Sequence, residues 1–132
     1  MTYAWLSAFA FTQAVEVPIY ALALRRAGRG AWPAALIAFG ASAITHPVVW
    51  WLLPRAWESL YLAVAAPSPT LRVASPLGRF VGRLIFSEVF AVAVEAAYLR
   101  AWRAPRALAW STLANVASVS LGLLSRALFS WP

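Results

Sequence analysis

The chain has 132 residues, of which 63% are hydrophobic and 11% are charged, a composition that excludes an ordinary soluble domain. Its formal net charge is +7 and all of its basic residues are arginines, which lie between apolar stretches and form no basic stripe with interleaved aromatics. This placement excludes a nucleic-acid partner and favours a lipid bilayer, while the absence of cysteine excludes disulfides and thiolate chemistry.

Four apolar segments follow one another, and each is long enough to cross a hydrocarbon core of about 30 Å. Their apolar residues run continuously, which favours helices over a barrel. We therefore predict an all-α polytopic membrane protein with a single integral membrane domain over residues 1–132. It is a four-transmembrane-helix bundle with a short interfacial helix between helices 2 and 3, and its spans cover residues 3–24, 33–53, 80–100 and 107–129.

The first span has one polar side. MTYAWLSAF lacks a basic n-region and a cleavage site, so we interpret it as the start of a span and not as a removable signal. Polar residues recur at three- and four-residue spacing, which places them on one helical side. They are Thr12, Gln13, Glu16 and Tyr20. Pro18 cannot donate a backbone hydrogen bond, so it frees the carbonyl of Ala14 near Glu16.

The second span carries a polar cluster of Ser42, Thr45 and His46, followed by Pro47, and we expect it to stop at Pro54. The long connection that follows has two parts. Apolar residues at helical spacing over residues 56–65 predict a short helix in the membrane interface. The proline-punctuated PSPTLRVASP is expected to be irregular.

The third span contains Glu88 and Glu95, which lie seven residues apart and share one helical face within about 20°. A carboxylate at membrane depth costs roughly 2.5–3.5 kcal/mol on insertion scales, so this face predicts an interior lined by partners or water. The fourth span continues the pattern at 4-3-4 spacing, with Ser111, Asn115, Ser118 and Gly122. We find no convincing internal sequence repeat, although both halves share a helical hairpin plan.

Arginine placement predicts the topology. The two short connections carry three arginines each, and both fall on one side of a four-span chain. By the positive-inside rule this side is cytoplasmic and both termini are outside. Arg55, Arg72 and Arg79 in the longer connection leave dual topology open. An alanine- and arginine-rich chain without lysine is compatible with a GC-rich bacterial genome, which predicts the cytoplasmic (inner) membrane.

The polar sides form a predicted ladder across the bundle. Glu16, Glu95 and Asn115 fall toward the arginine-rich side, and His46 and Glu88 fall toward the opposite side, on the order of 10 Å away. Glu16, Glu88, Glu95 and His46 are therefore the candidate proton- or cation-binding residues. Gln13, Tyr20, Thr45, Asn115 and Ser118 are the candidate supporting residues. The same ladder could instead hold four helices in register through interhelical hydrogen bonds.

His46 allows further interpretations. His46 and Trp50 form an H-x-x-x-W pattern, which resembles the proton-sensor and gate pair of the influenza proton channel, with Pro47 as a departure. Trp50 is therefore a gate candidate, or else a residue of the aromatic belt. Imidazole and carboxylate donors together suit zinc, iron or manganese, so His46 with Glu88 is also a candidate metal pair. No H-E-x-x-H or E-x-x-H motif fixes such a site.

One stretch resembles a known family. Four spans in a short chain, a glutamate in the first span and a basic connection leading to Trp32-Pro33 are similar to the small multidrug resistance transporters, over residues 13–33. The resemblance implies an antiparallel dimer in which Glu16 binds substrate cations and protons in competition. The long middle connection, His46, Glu88 and Glu95 depart from that family.

Three functions follow from these patterns. The first is a small proton-coupled or cation-handling transporter or channel that works as a homo-oligomer, because four helices enclose little volume. The second is an accessory or assembly subunit whose polar faces dock a membrane-protein partner. The third is an intramembrane enzyme with a Glu/His site, with or without a metal. Enzyme activity has the least support, because no nucleophile motif is present.

Overall fold

The structure is a computed structural model that describes residues 2–65 and 76–131, and it is all-helical with no strand in these ranges. This confirms the predicted all-α class. The helices are α1 (Thr2–Arg26), α2 (Ala31–Pro47), a π-helical segment (Val48–Leu52), α3 (Leu53–Ala65), α4 (Pro76–Ala101) and α5 (Ala107–Phe129). Apart from Pro76, which begins α4, the PSPTLRVASP segment lies outside the described residues, so its predicted irregularity stays a prediction.

The helix that begins at Ala31 does not stop at Pro54. It passes through the π-helical segment directly into α3, so the predicted break between the second span and the short helix is wrong. A π turn widens the helix by one residue, which lets the chain absorb a proline without ending the helix. In the widened segment, the Leu53 N–H donates to the carbonyl of Val48. The Arg55 guanidinium donates to the carbonyl of Trp51 at 2.6 Å.

The two short connections begin with the same helix-ending motif. A residue with positive φ follows each helix, Gly28 at +84° after α1 and Arg103 at +62° after α4. The N–H of the next residue donates to the carbonyl of Leu24 at 3.2 Å in the first case and of Leu99 at 3.0 Å in the second. This is the Schellman arrangement, in which glycine is the usual residue at the left-handed position.

These connections also contact each other. The Arg29 guanidinium lies 5.3 Å from the ring centre of Trp102 and donates to the Trp102 carbonyl at 3.2 Å. Arg26 lies 5.2 Å from the ring centre of Trp110. Cation–π contacts and a hydrogen bond therefore join the two turns at one end of the molecule, which we call the arginine end.

The four long helices pack in a ring. Helix α1 contacts α2 and α5, and α4 contacts α5 and α2, while α3 lies against the beginning of α4. The core is built largely from small residues, which let helix backbones approach closely. Its fully buried members are Tyr20, Ala23, Leu24, Ala34, Ala38, Leu99 and Ala114. Large apolar side chains such as Leu36, Phe39 and Leu113 point outward instead.

Three helices are long and apolar enough to cross a membrane: Tyr3–Arg26, the continuous Ala31–Val64, and Ala107–Phe129. They indicate a membrane protein. Helix α4 has 26 residues, ample length for a span at about 1.5 Å each, but it also carries arginines and glutamates along its length. By length and composition, α4 is therefore not among the three, and four spans are not established.

The contact between α3 and α4 gives a test of the fold. A methyl group at Gly82 would lie 2.6 Å from a ring carbon of Trp57, whereas one at Gly122 would lie 3.7 Å from its nearest neighbour on Phe11. Both changes to alanine gain about 0.5–1 kcal/mol of helix stability. We expect Gly122→Ala to keep or raise the free energy of unfolding, and Gly82→Ala to lower it by about 1 kcal/mol or more as the indole shifts. Unfolding in detergent measures both, and equal effects would contradict the packing of α3 on α4.

Candidate functional site

Two glutamate side chains meet between the four long helices and are almost completely buried, with Glu16 2% and Glu95 1% exposed. Glu16 projects from α1 and Glu95 from α4. Burial of this degree removes a carboxylate from water, so each of its oxygens needs a hydrogen-bond partner within the protein. The partners come from the neighbouring helices, and they define the site.

Glu16 is held between two serine hydroxyls from helices on either side of α1. Ser42 of α2 donates to Oε2, and Ser118 of α5 donates to Oε1 at 2.7 Å. Serine has the shortest hydroxyl side chain, so it reaches a carboxylate on another helix only where the backbones are close. The small residues of the core provide that approach.

Glu95 is held by three donors from three helices. Thr45 of α2 donates to Oε1 at 2.5 Å, and Tyr20 of α1 donates its hydroxyl to Oε2. The Asn115 amide of α5 also donates to Oε2, at 2.6 Å, and lies 3.1 Å from the Tyr20 oxygen. Tyr20 is 0% exposed, so its hydroxyl depends entirely on these partners.

The local sequence explains why these residues converge. Glu16 and Tyr20 lie one helical turn apart on α1, so they face the same side. The donors on α2 and α5 recur at the same spacing and therefore form one polar side on each helix. They are Ser42 and Thr45 on α2, and Asn115 and Ser118 on α5.

Neutral groups alone contact the two carboxylates. Within residues 2–65 and 76–131, the partners of Glu16 and Glu95 are hydroxyls and one amide, and no arginine forms an ion pair with either of them. The described arginines are exposed, apart from Arg29, which is half-buried at the arginine end. The site therefore supplies hydrogen bonds to the carboxylates but no compensating positive charge.

A cavity of about 220 Å³ lies against this cluster, and we call it the carboxylate cavity. Its polar lining includes all four predicted proton- or cation-binding residues, Glu16, Glu88, Glu95 and His46. Trp50 and Thr12 also line it. The structure thus brings together side chains that the sequence placed on three different spans. Glu88 and Glu95 are about 10 Å apart along the axis of α4, because they are seven residues apart and each residue rises about 1.5 Å.

His46 lies among aromatic rings at the far side of this cavity. Its ring centre is 5.2 Å from that of Phe9, 5.9 Å from that of Trp5 and 6.0 Å from that of Trp50. Its Nε2 is buried and has no hydrogen-bond partner among the described residues. A buried ring nitrogen at the wall of a cavity with room for several water molecules is placed to bind a water molecule or a ligand there.

Glu88 and Gln13 are not members of the hydrogen-bonded cluster around Glu16 and Glu95. Glu88 is half-buried and borders a second cavity as well as the first. Gln13 is buried, but neither atom of its amide has a partner in the part of the chain that the structure describes, so it does not join the cluster. Within the same part, no three His, Asp or Glu side chains are placed to hold a metal ion, and metal binding by His46 with Glu88 stays a prediction.

Ser42 is a direct partner of Glu16 that the predicted site did not include. Its position three residues before Thr45 was the available signal, because that spacing places both on one side of α2. Comparison of the chain with protein-family models, with curated proteins and with solved structures finds no match. The residues of the site therefore carry the functional argument.

Removal of one hydroxyl tests the cluster. We expect Tyr20→Phe to lower the free energy of unfolding by about 0.6–1.5 kcal/mol, because it removes a donor to Glu95 and an acceptor for Asn115. Tyr98→Phe is the matched control, since the Tyr98 hydroxyl makes no hydrogen bond in the described part of the chain. Thermal or denaturant unfolding in detergent measures both variants. Equal stability of the two would show that the Tyr20 hydrogen bonds contribute nothing measurable.

Proposed function

We propose that this protein is a small proton-coupled or cation-handling membrane transporter or channel, with Glu16 and Glu95 as its central binding groups. The observation that carries the proposal is their environment: two almost fully buried carboxylates border a cavity and have hydroxyl and amide partners but no cationic partner among the described residues. The carboxylates have no positive charge beside them, and a proton or a cation that enters the cavity would supply one.

Helix association alone gives no reason for carboxylates at these positions. Burial of a carboxylate costs more than burial of an amide, and interhelical hydrogen bonds average only about 0.6 kcal/mol in membrane proteins. Glutamine at these positions would still accept hydrogen bonds from serine, threonine and tyrosine. The presence of glutamate at both positions therefore supports a role in which the carboxyl group binds and releases a proton or a cation.

The partners suit a carboxyl group that exchanges a proton. A hydroxyl donates to an ionised carboxylate and can rotate to accept from a protonated one. Both partners of Glu16 are hydroxyls, so its surroundings fit either state without rearrangement of the helices. Glu95 has two hydroxyl partners and one amide donor. The amide nitrogen can only donate, so it favours a state in which Oε2 carries no proton.

The remaining residues provide a route along the bundle. From Glu16 and Glu95 the carboxylate cavity leads to His46, Trp50 and Glu88. In this proposal His46 and Glu88 relay the proton or cation, and the Trp50 indole, which borders both cavities, gates the passage between them. A change in carboxylate charge would shift the helix packing between two states.

The proposal includes a membrane arrangement. Helix α4 forms the fourth span with its glutamates facing the interior, and α3 lies in the interface. The arginine end faces the cytoplasm in the bacterial inner membrane, with both termini outside. A second copy of the chain would complete the permeation path, because four helices enclose little volume.

Proton or cation flux into sealed liposomes tests this function. We expect the wild-type protein to conduct, and Glu16→Gln with Glu95→Gln to abolish most of the flux, because a glutamine amide carries no negative charge and does not take up a proton near neutral pH. Glu58→Gln is the matched control, since Glu58 is exposed on α3 and lies away from the cluster.

Two further measurements make the result decisive. Circular dichroism and size-exclusion chromatography establish that the variants keep the wild-type helix content and assembly state. Equal flux in wild type and in the double variant would refute the role of these carboxylates. No flux in the folded wild type, across protons and a panel of monovalent and divalent cations, would refute the transport function itself.

A further inference from the structure

A second cavity, of about 380 Å³, adjoins the carboxylate cavity and contains both signs of charge. We call it the mixed-charge cavity. Arg83 and Glu88 of α4 line it, together with Arg126 of α5. Val49, Trp50 and Glu88 line both cavities and therefore lie between the two spaces.

Among the described residues, the charged side chains of this cavity form no ion pair with one another. Within residues 2–65 and 76–131, neither arginine forms an ion pair, and Glu88 forms none either. Arg83 also borders a smaller cavity with Glu58 and Arg79, and no ion pair forms there among the described residues. Each guanidinium therefore has N–H donors free for two oxygens of an anionic group, and Glu88 has acceptors free for a cation.

The position of the cavity favours a phosphate as the anionic group. Arg126 lies in the last turn of α5, and Arg83 lies near the start of α4. Both belong to the end of the bundle opposite the arginine end. Helix ends of a membrane-spanning bundle lie at the level of the lipid headgroups, where phosphates are concentrated and attract arginine.

We infer that the mixed-charge cavity binds a zwitterionic group of the phosphoethanolamine type. Arg83 and Arg126 hold its phosphate, and Glu88 holds its ammonium. A simple anion would be attracted by the arginines but repelled by Glu88, and a simple cation would meet the reverse. A ligand that carries both charges a few bonds apart complements all three side chains. This inference rests on the membrane arrangement of the proposed function and shares Glu88 with it, but Glu16 and Glu95 take no part, so binding here is measured separately from flux.

Two sources could supply this chemistry, a phospholipid headgroup and a water-soluble molecule. Titration calorimetry of the purified protein in maltoside detergent separates them. The probes are dihexanoyl phosphatidylethanolamine, free phosphoethanolamine and dihexanoyl phosphatidylglycerol, which keeps the phosphate but lacks the ammonium. We expect saturable binding of the ethanolamine lipid and about tenfold weaker binding of the glycerol lipid, the difference that one charge-assisted contact makes.

Free phosphoethanolamine distinguishes the two sources of the zwitterionic group. Binding of free phosphoethanolamine with an affinity similar to that of the lipid identifies a soluble zwitterion as the ligand. Binding of the lipid alone identifies a headgroup held with its chains. Either result supports the mixed-charge site. Equal affinity for the two lipids, or no binding of either ethanolamine probe, would overturn it.

Substitutions test which residues bind the phosphate and which residue binds the ammonium. Arg83→Gln and Arg126→Gln, made singly and together, should weaken binding of the ethanolamine lipid about tenfold or more. Glu88→Gln should weaken binding of the ethanolamine lipid and leave that of the glycerol lipid unchanged or stronger. Arg100→Gln, an exposed change at the arginine end, is the matched control and should bind as wild type. Unchanged affinity in folded arginine variants would refute the assignment.

Discussion

The burial of two carboxylates without a positive partner is the constraint on which the rest of this structure depends. Glu16 and Glu95 are out of water, and the described residues offer them only neutral donors. Each of the four long helices contributes a carboxylate or a donor to the cluster. The carboxylates come from α1 and α4, and the donors come from α1, α2 and α5, so the polar cluster joins the whole ring.

Close backbone approach makes this cluster possible. The donors on α2 and α5 have short side chains, and small residues beside them keep the helices near one another. Alanines at equivalent places, Ala34 and Ala41 on α2 and Ala107 and Ala114 on α5, are buried on the same sides as the donors. The hairpin of α1 and α2 and the hairpin of α4 and α5 thus repeat one structural plan without a convincing sequence repeat. In both, the first helix ends in the same Schellman arrangement.

The two ends of the bundle differ in a way that matters for function. The arginine end is closed by the contact between the two short connections and by a core that includes Leu24 and Leu99. At the other end, α2 continues through the π-helical segment into α3, and Val49 and Trp50 of this segment line both cavities. The carboxylate cavity thus extends from Glu16 and Glu95 toward this end, where Trp50 and Glu88 line it.

The sequence by itself determined the helical class, because its apolar residues run continuously over long segments and do not alternate with polar ones. It also placed α5 at residues 107–129 and put Glu16 with Tyr20 on one side of α1, since helical periodicity is local. Eight of the ten predicted site residues line one cavity, all except Gln13 and Tyr20. The four-span bundle and the functions inferred from it go beyond what three apolar helices establish.

Only the tertiary structure decided which donor serves which carboxylate, because the partners belong to different helices and periodicity says nothing about how helices are rotated against one another. Ser42 became a partner of Glu16, and Gln13, on the same predicted side of α1, did not join the cluster. The continuation of the helix past Pro54 was likewise a tertiary outcome. A proline signals a local break, but a π turn and packing of α3 against α4 keep the chain helical there.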